Sequence, residues 1–178
     1  MDYGVTSMSA PLRRVAVRAP APASDFAQAH WAQPLDVDLL IDQHAAFAGI
    51  LQRLGCDVLE LPPLEGLPDS CFTYDPAFTI GDGVIALRSA KAVRVGEGER
   101  LAADLAAAGI PTVASLSGSA TADGGDMFWL DDDTLAVGRS YRTNAVAVAQ
   151  LSEILRPEVC ASRCTTYPMT RGPSGACT

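Results

Sequence analysis

Ala77-Phe78-Thr79-Ile80, Gly81-Asp82-Gly83 and Val84-Ile85-Ala86-Leu87 set two short apolar runs on either side of a glycine turn. That order predicts a β-hairpin, because glycine supplies the turn backbone and the flanking runs have strand length. Downstream, Glu97 to Ala108 is rich in Ala and Leu and closes on Gly109, so it reads as a helix, with Ile110 to Leu116 as the next strand. The same order then recurs. Met127 to Leu130 and Thr134 to Val137 flank Asp131-Asp132-Asp133, and a helix is expected from near Asn144 to Leu155. A shift of about 50 residues lays Phe78 on Phe128, Ile80 on Leu130, Asp82 on Asp132, Ala86 on Ala136, Leu87 on Val137 and Leu101 on Leu151. Repetition at this spacing marks supersecondary units that bury their faces against one another.

Each unit reads strand–strand–helix–strand. The first, from Leu12 to Leu61, is shorter by one strand. Leu12 to Ala19 is a strand and the proline-rich stretch to Pro34 a loop. Asp36 or Asp38 caps a helix running to about Leu54, and Cys56 to Leu61 is a strand stopped by Pro62-Pro63. Leu40, Phe47, Ile50, Leu51 and Leu54 form the expected buried stripe of that helix. Residues 1–11 read as a loose leader and 12–155 as the folded domain. Residues 156–178 read as an irregular tail without helix or strand period. Its three cysteines, Cys160, Cys164 and Cys177, lack the ordered set of four ligands that a zinc site needs.

The composition bounds the function. A chain of 178 residues with 48% hydrophobic and 19% charged content can bury a sizeable core. A net charge of −8 argues against nucleic acid, which demands a basic face, and suits a cationic ligand. No apolar run reaches the roughly 20 residues of a membrane span, and the first residues show no secretory signal pattern. Five cysteines, an odd number, fit a reducing cytoplasm.

Chemistry concentrates in three strings. Pro68-Asp69-Ser70-Cys71-Phe72-Thr73-Tyr74-Asp75 precedes the first hairpin, with Arg94 after it. Asp123-Gly124-Gly125-Asp126 precedes the second, with Tyr141-Arg142-Thr143-Asn144 after it. Acids and single arginines at hairpin starts suit a small zwitterion with a cationic end. The residues alone also allow plainer roles. Asp69 and Asp75 lie beside prolines and serve turn chemistry, Phe72 suits a core, and Arg142 suits a surface near a helix start.

In this order and spacing the three strings resemble those of the dimethylarginine dimethylaminohydrolases, members of the guanidino-group-modifying superfamily. The resemblance covers roughly residues 12–155. It implies an α/β propeller of ββαβ units, of which this chain holds the first three blades at most, with the first hairpin completed by a distant part of the ring. It also implies that Asp75 binds the substrate guanidinium and that Asp123 grips it too while orienting a catalytic histidine. Asp69 then lies near the α-amino group, Arg94 and Arg142 take the α-carboxylate, and Phe72 lies beside the substrate. The implied activity is hydrolysis of an N-substituted arginine to citrulline and an amine, through a cysteine thiouronium intermediate, without metal or cofactor. The implied partner is a small guanidine. An amidinotransferase and a non-catalytic arginine-binding module are the alternatives.

Two departures stand out. Tyr74 occupies a position where many dimethylargininases carry a glutamate, which bears on the N-substituents tolerated. No histidine follows His44, and Cys177 lacks the glycine pair expected before a family nucleophile. His30 and His44 read as solvent or helix-face residues. Read one base out of frame, the codons allowed for Thr166 to Pro173 permit a string resembling the histidine-bearing segment of the family. A shifted frame near residues 156–165 is therefore expected to have replaced the continuation.

Overall fold

The computed structural model describes residues 7–29, 34–81, 83–131 and 134–155, and the backbone of 163–168. In chain order its elements are β1 (Arg14–Arg18), α1 (Val37–Arg53), β2 (Asp57–Leu61), β3 (Ala77–Ile80), β4 (Gly83–Ala86), α2 (Glu97–Ala107), β5 (Thr112–Ser115), β6 (Met127–Asp131), β7 (Thr134–Arg139), α3 (Ala145–Leu155) and β8 (Arg163–Pro168). The strands make three separate sheets, ordered β1-β2, β3-β4-β5 and β6-β7-β8. In each three-stranded sheet an antiparallel hairpin is followed by a parallel strand reached through a helix. Such a parallel return needs a crossover, and α2 and α3 supply it. The first sheet has the parallel pair alone, so among the described residues the first unit is short by one strand.

Packing follows one rule through the chain. Helix α1 packs Ala48 and Leu51 against Val15, Val17 and Val58 of the first sheet. The opposite face of that sheet, with Ala16, Leu59 and Leu61, packs on α2 and on the second sheet through Leu101, Leu105 and Val84. The far face of the second sheet, carrying Phe78, Ile80 and Ile85, then packs with α3 and the third sheet. Every helix therefore lies between its own sheet and the one before it, except α1, which among the described residues has only its own.

This exception corrects the stripe expected on α1. Asp36 is the cap, its carboxylate accepting from the Leu39 N–H at 3.0 Å, and Gly55 at φ 90° turns the chain out of the helix. Yet Phe47 is 51% exposed, Ile50 46% and Leu54 76%. The apolar period is real, but no described sheet covers that side.

Two more expectations change. The registers pair Phe78 with Ile85 and Phe128 with Ala136, so the two copies match at a shift of 50 in the first strand and 51 in the second. The extra residue is a bulge between Trp129 and Asp131. Ala86 and Leu87 therefore correspond to Val137 and Gly138, not to Ala136 and Val137. The segment read as an irregular tail contributes β8, which pairs in parallel with all six residues of β7. Strand pairing there uses backbone groups on an open edge and needs no apolar period. Cys160 and Cys177 lie outside the described residues, as does His30; His44 lies on α1 and is partly buried.

Candidate functional site

The string Pro68 to Asp75 is a run of successive turns: Phe72 N–H donates to the Asp69 carbonyl and Asp75 N–H to the Phe72 carbonyl. It is tied to its neighbours on both sides. Thr73 Oγ1 donates to the Ala16 carbonyl of β1 at 3.1 Å, and the Tyr74 hydroxyl donates to the Met127 carbonyl of β6 at 3.1 Å. Tyr74 also meets Phe78 edge-on, with ring centroids 6.3 Å apart. Its phenol titrates above the usual range, through burial first and the charge of Asp75 second.

The second string is built against the first. Asp123 caps the 3-10 turn Gly124–Asp126 by accepting from the Gly125 N–H at 2.9 Å. Gly124 N–H donates to the Asp75 carbonyl at 2.9 Å, and a Cβ on Gly124 would lie 2.0 Å from the Tyr74 carbonyl oxygen. Glycine is needed there so that the two strings can touch. In the third string, Thr143 is buried and donates to Asp126 Oδ2 at 2.6 Å, and Asn144 caps α3 through the Ala147 N–H at 2.9 Å. Arg142, immediately before them in the chain, points its guanidinium at Asp123, with Nη1 2.9 Å from Oδ2.

These loops surround a cleft of about 320 Å³ lined by Asp69, Phe72, Asp75, Lys91, Arg94 and Arg142. Five of the six residues singled out in the sequence line it, and the sixth, Asp123, adjoins it through Arg142. Each acid is paired with a protein cation. Asp69 holds Lys91, Asp75 holds Arg94, and Asp123 holds Arg142. Arg94 is also bound by Glu97, whose Oε2 accepts from Nε at 2.8 Å, and its Nη2 donates to the Phe72 carbonyl at 3.4 Å. All three nitrogens of Arg94 thus face protein acceptors, and both it and Glu97 are almost fully buried.

Burial raises the Asp75 carboxyl above its ordinary range; Arg94 opposes that shift and the nearby charge of Asp123 adds to it. Burial also raises Glu97, against the pull of Arg94. Desolvation works against the Arg94 charge, but bonds to Glu97 and Asp75 outweigh it and hold the guanidinium protonated. Arg142 is held protonated by its bond to the Tyr141 hydroxyl first and by Asp123 as well. Cys71, in the same loop as Asp69, is pushed up to about 11 by burial first and Asp69 second, so at neutral pH it is a thiol. Among the described residues no three His, Cys, Asp or Glu side chains are grouped to hold a metal ion.

Lys91 and Glu97 are the site residues that the sequence pattern does not single out. Glu97 carried a usable signal, since it stands three residues after Arg94 at the start of a helix. Lys91 sits in a loop and carried none.

A family model described as arginine deiminase matches residues 62–166, more than half of the chain. The chain belongs to that family. Within it, the chain is similar to the N(G),N(G)-dimethylarginine dimethylaminohydrolases of Pseudomonas aeruginosa, at 29% identity over 145 residues, and of Streptomyces coelicolor, at 30% over 149 residues. Those matches cover 80% and 83% of this chain but 56% and 57% of the relatives, so the chain spans a little over half their length. The dimethylargininase of Pseudomonas aeruginosa, solved as a cysteine-to-serine mutant complexed with citrulline, superposes with a TM-score of 0.75 at 25% identity. That match covers 88% of this chain and 61% of the solved one. The chain is a dimethylargininase-like member of the guanidino-modifying superfamily with a mixed α/β fold.

Proposed function

We propose that this chain forms the substrate-binding part of a dimethylargininase-like site and that its ligand is a guanidine with a carboxylate end. The carrying observation is the charge arrangement at one end of the cleft. Asp75 and Glu97 share the single guanidinium of Arg94, and Asp123 lies near enough to Asp75 for their charges to interact. Three acids there face two protein cations, so one more guanidinium balances the set. A planar guanidinium needs several acceptors at once, and Asp75 with Asp123 offers them.

Arg142 is the better placed of the two arginines to take a carboxylate. Its side chain is 42% exposed, whereas that of Arg94 is 5% exposed and engaged at every nitrogen. In this reading Arg94 orients Asp75, and Arg142 leaves Asp123 for the ligand carboxylate as the ligand guanidinium takes its place. In that exchange the ligand guanidinium replaces Arg142 at Asp123, and the ligand carboxylate receives Arg142 in return.

The hydrolysis implied by the resemblance also requires a thiolate and an acid–base histidine. Cys71, the thiol in the loop of Asp69, is protonated at neutral pH, and binding without turnover by these 178 residues is the second reading. The ring arrangement of blades and a shifted frame near residues 156–165 belong to the same proposal.

Calorimetry with L-arginine and 5-guanidinopentanoate, alongside a citrulline assay with N(G),N(G)-dimethylarginine, tests it. Heat from at least one ligand, lost in Asp75→Asn, supports the site. Citrulline formed by the purified 178-residue chain sinks the second reading, and the absence of binding by either compound sinks the first.

A further inference from the structure

Lys91 reaches its place in the cleft through contacts with two distant segments. Its Nζ donates to Asp69 Oδ2 and, at 2.7 Å, to the Ala29 carbonyl, 62 residues away. Both acceptor residues are buried at 4% exposure, while the lysine side chain is 31% exposed. Its own backbone N–H donates to Ser89 Oγ at 3.1 Å. An ordinary surface lysine has neither the two buried acceptors nor the local pin. Chemically, a lysine ammonium and a substrate α-ammonium are the same group, compact and with three donors. This one sits on the acid that the family resemblance gives to the substrate α-amino group.

We propose that Lys91 determines specificity: its ammonium fills the position at Asp69, so the cleft takes guanidines lacking an α-amino group in preference to α-amino acids. The assignment rests on the guanidine reading and narrows it to a substrate class. An α-amino acid has two ways to enter. It displaces Lys91 from both acceptors and strips the Ala29 carbonyl of its donor, or it brings a second ammonium beside the first. Both oppose binding. A guanidino acid with only hydrogens at the α-carbon meets neither obstacle, and its carboxylate still faces Arg142. The preference is on the order of tenfold or more, since one like-charge contact ranges from about fivefold in bulk water to about a thousandfold near a protein surface.

The test uses the whole 178-residue chain with 5-guanidinopentanoate and L-arginine, which differ only in the α-amino group. Titration calorimetry is expected to give the former an affinity higher by roughly tenfold or more. Lys91→Met keeps the aliphatic stem and removes the competing ammonium from beside Asp69, so the ratio is expected to close or invert. Lys91→Gln, which keeps a neutral donor, is expected to fall between, and circular dichroism checks that each variant is folded. L-arginine binding the unmodified chain as tightly as its deamino analogue overturns the assignment whether or not a variant folds. So does a ratio unmoved in a folded variant. In both cases binding persists and the guanidine reading survives; if neither compound binds, that reading fails and takes the Lys91 assignment with it.

Discussion

Gly124→Ala is the sharpest perturbation of the site, because it acts where two loops meet through backbone atoms alone. The added Cβ would stand 2.0 Å from the Tyr74 carbonyl oxygen and 3.0 Å from its carbon, and neither can rotate away. Real Cβ atoms essentially never approach closer than 3.0 Å, so the loops must part by about 1.0 Å, the difference between 3.0 and 2.0. Moved that far, the 2.9 Å bond from Gly124 N–H to the Asp75 carbonyl opens to about 3.9 Å and is lost. Losing a buried backbone bond costs about 1–3 kcal/mol, and residual overpacking adds about 1–3 kcal/mol. A total near 3 kcal/mol lowers the urea midpoint by roughly 1–2 M for a domain of this size. Guanidine affinity falls as well, since Asp75 and Asp123 are carried apart. Gly81→Ala is the control: nothing lies within 4 Å of its added Cβ, and a change below about 1 kcal/mol is expected. Urea melts of the two variants, with calorimetry on whichever folds, decide the matter. A Gly124→Ala protein within about 0.5 kcal/mol of the unmodified chain refutes the claim that this contact sets the site.

Three other outcomes follow from the same geometry. Phe78→Ala removes a ring 2% exposed and is expected to cost about 3–5 kcal/mol, whereas Phe128→Ala, its repeat equivalent at 46% exposure, costs under about 1 kcal/mol; equal losses in chemical denaturation would contradict the packing rule. Glu97→Ala leaves the buried Arg94 with Asp75 as its one carboxylate, so a loss of about 3–5 kcal/mol is expected in the same assay, and a neutral result would show that the pair is not buried in solution. Because Asp75 is raised above its ordinary 3.8, it protonates earlier on acidification than a free aspartate. Guanidine affinity therefore declines while the pH is still above that value. The raised group favours folding fully below the ordinary value, and that contribution is lost as pH rises through the folded one. Asp75→Asn removes both dependences, and pH-resolved calorimetry and melts read them.

The hairpins were legible because their signals are local. Gly81 to Gly83 and Asp131 to Asp133 sit between runs of strand length, and no distant residue decides them. The bulge at Leu130 was not legible, since one extra residue changes neither composition nor period; only the pairing of Phe128 with Ala136 exposes it. The site shows the same division. Asp69, Asp75, Asp123, Arg94 and Arg142 stood out because in each copy acids precede the hairpin and an arginine follows it. The pairing among them was hidden, because Arg94 meets Asp75 across 19 residues and Lys91 meets Ala29 across 62. The buried contact of Arg18 with Asp104, which joins β1 to α2, spans 86 residues and left no trace in the pattern.

Helix α1 shows why a period and a burial are different facts. Its stripe was read from the spacing of Phe47, Ile50, Leu51 and Leu54, and spacing reports which side of a helix is apolar. Whether that side is covered depends on a neighbour, and here the neighbour is set by the packing rule. Helix α2 has the first sheet on its outer side and α3 has the second, so Leu101 and Leu151 are each 2% exposed or less. Leu51 is buried because it faces the helix's own sheet, while Phe47 and Leu54 point to where a preceding sheet stands in the other two units. Phe128 and Leu130 show the same condition from the other end of the series: they lie on the sheet face that, in the second sheet, is covered by the next unit. The two exposed surfaces are thus opposite halves of one recurring contact: among the described residues, a helix without a sheet before it and a sheet without a unit after it. The ring proposed for these units would cover both surfaces by repeating the contact that already buries Leu101 and Leu151.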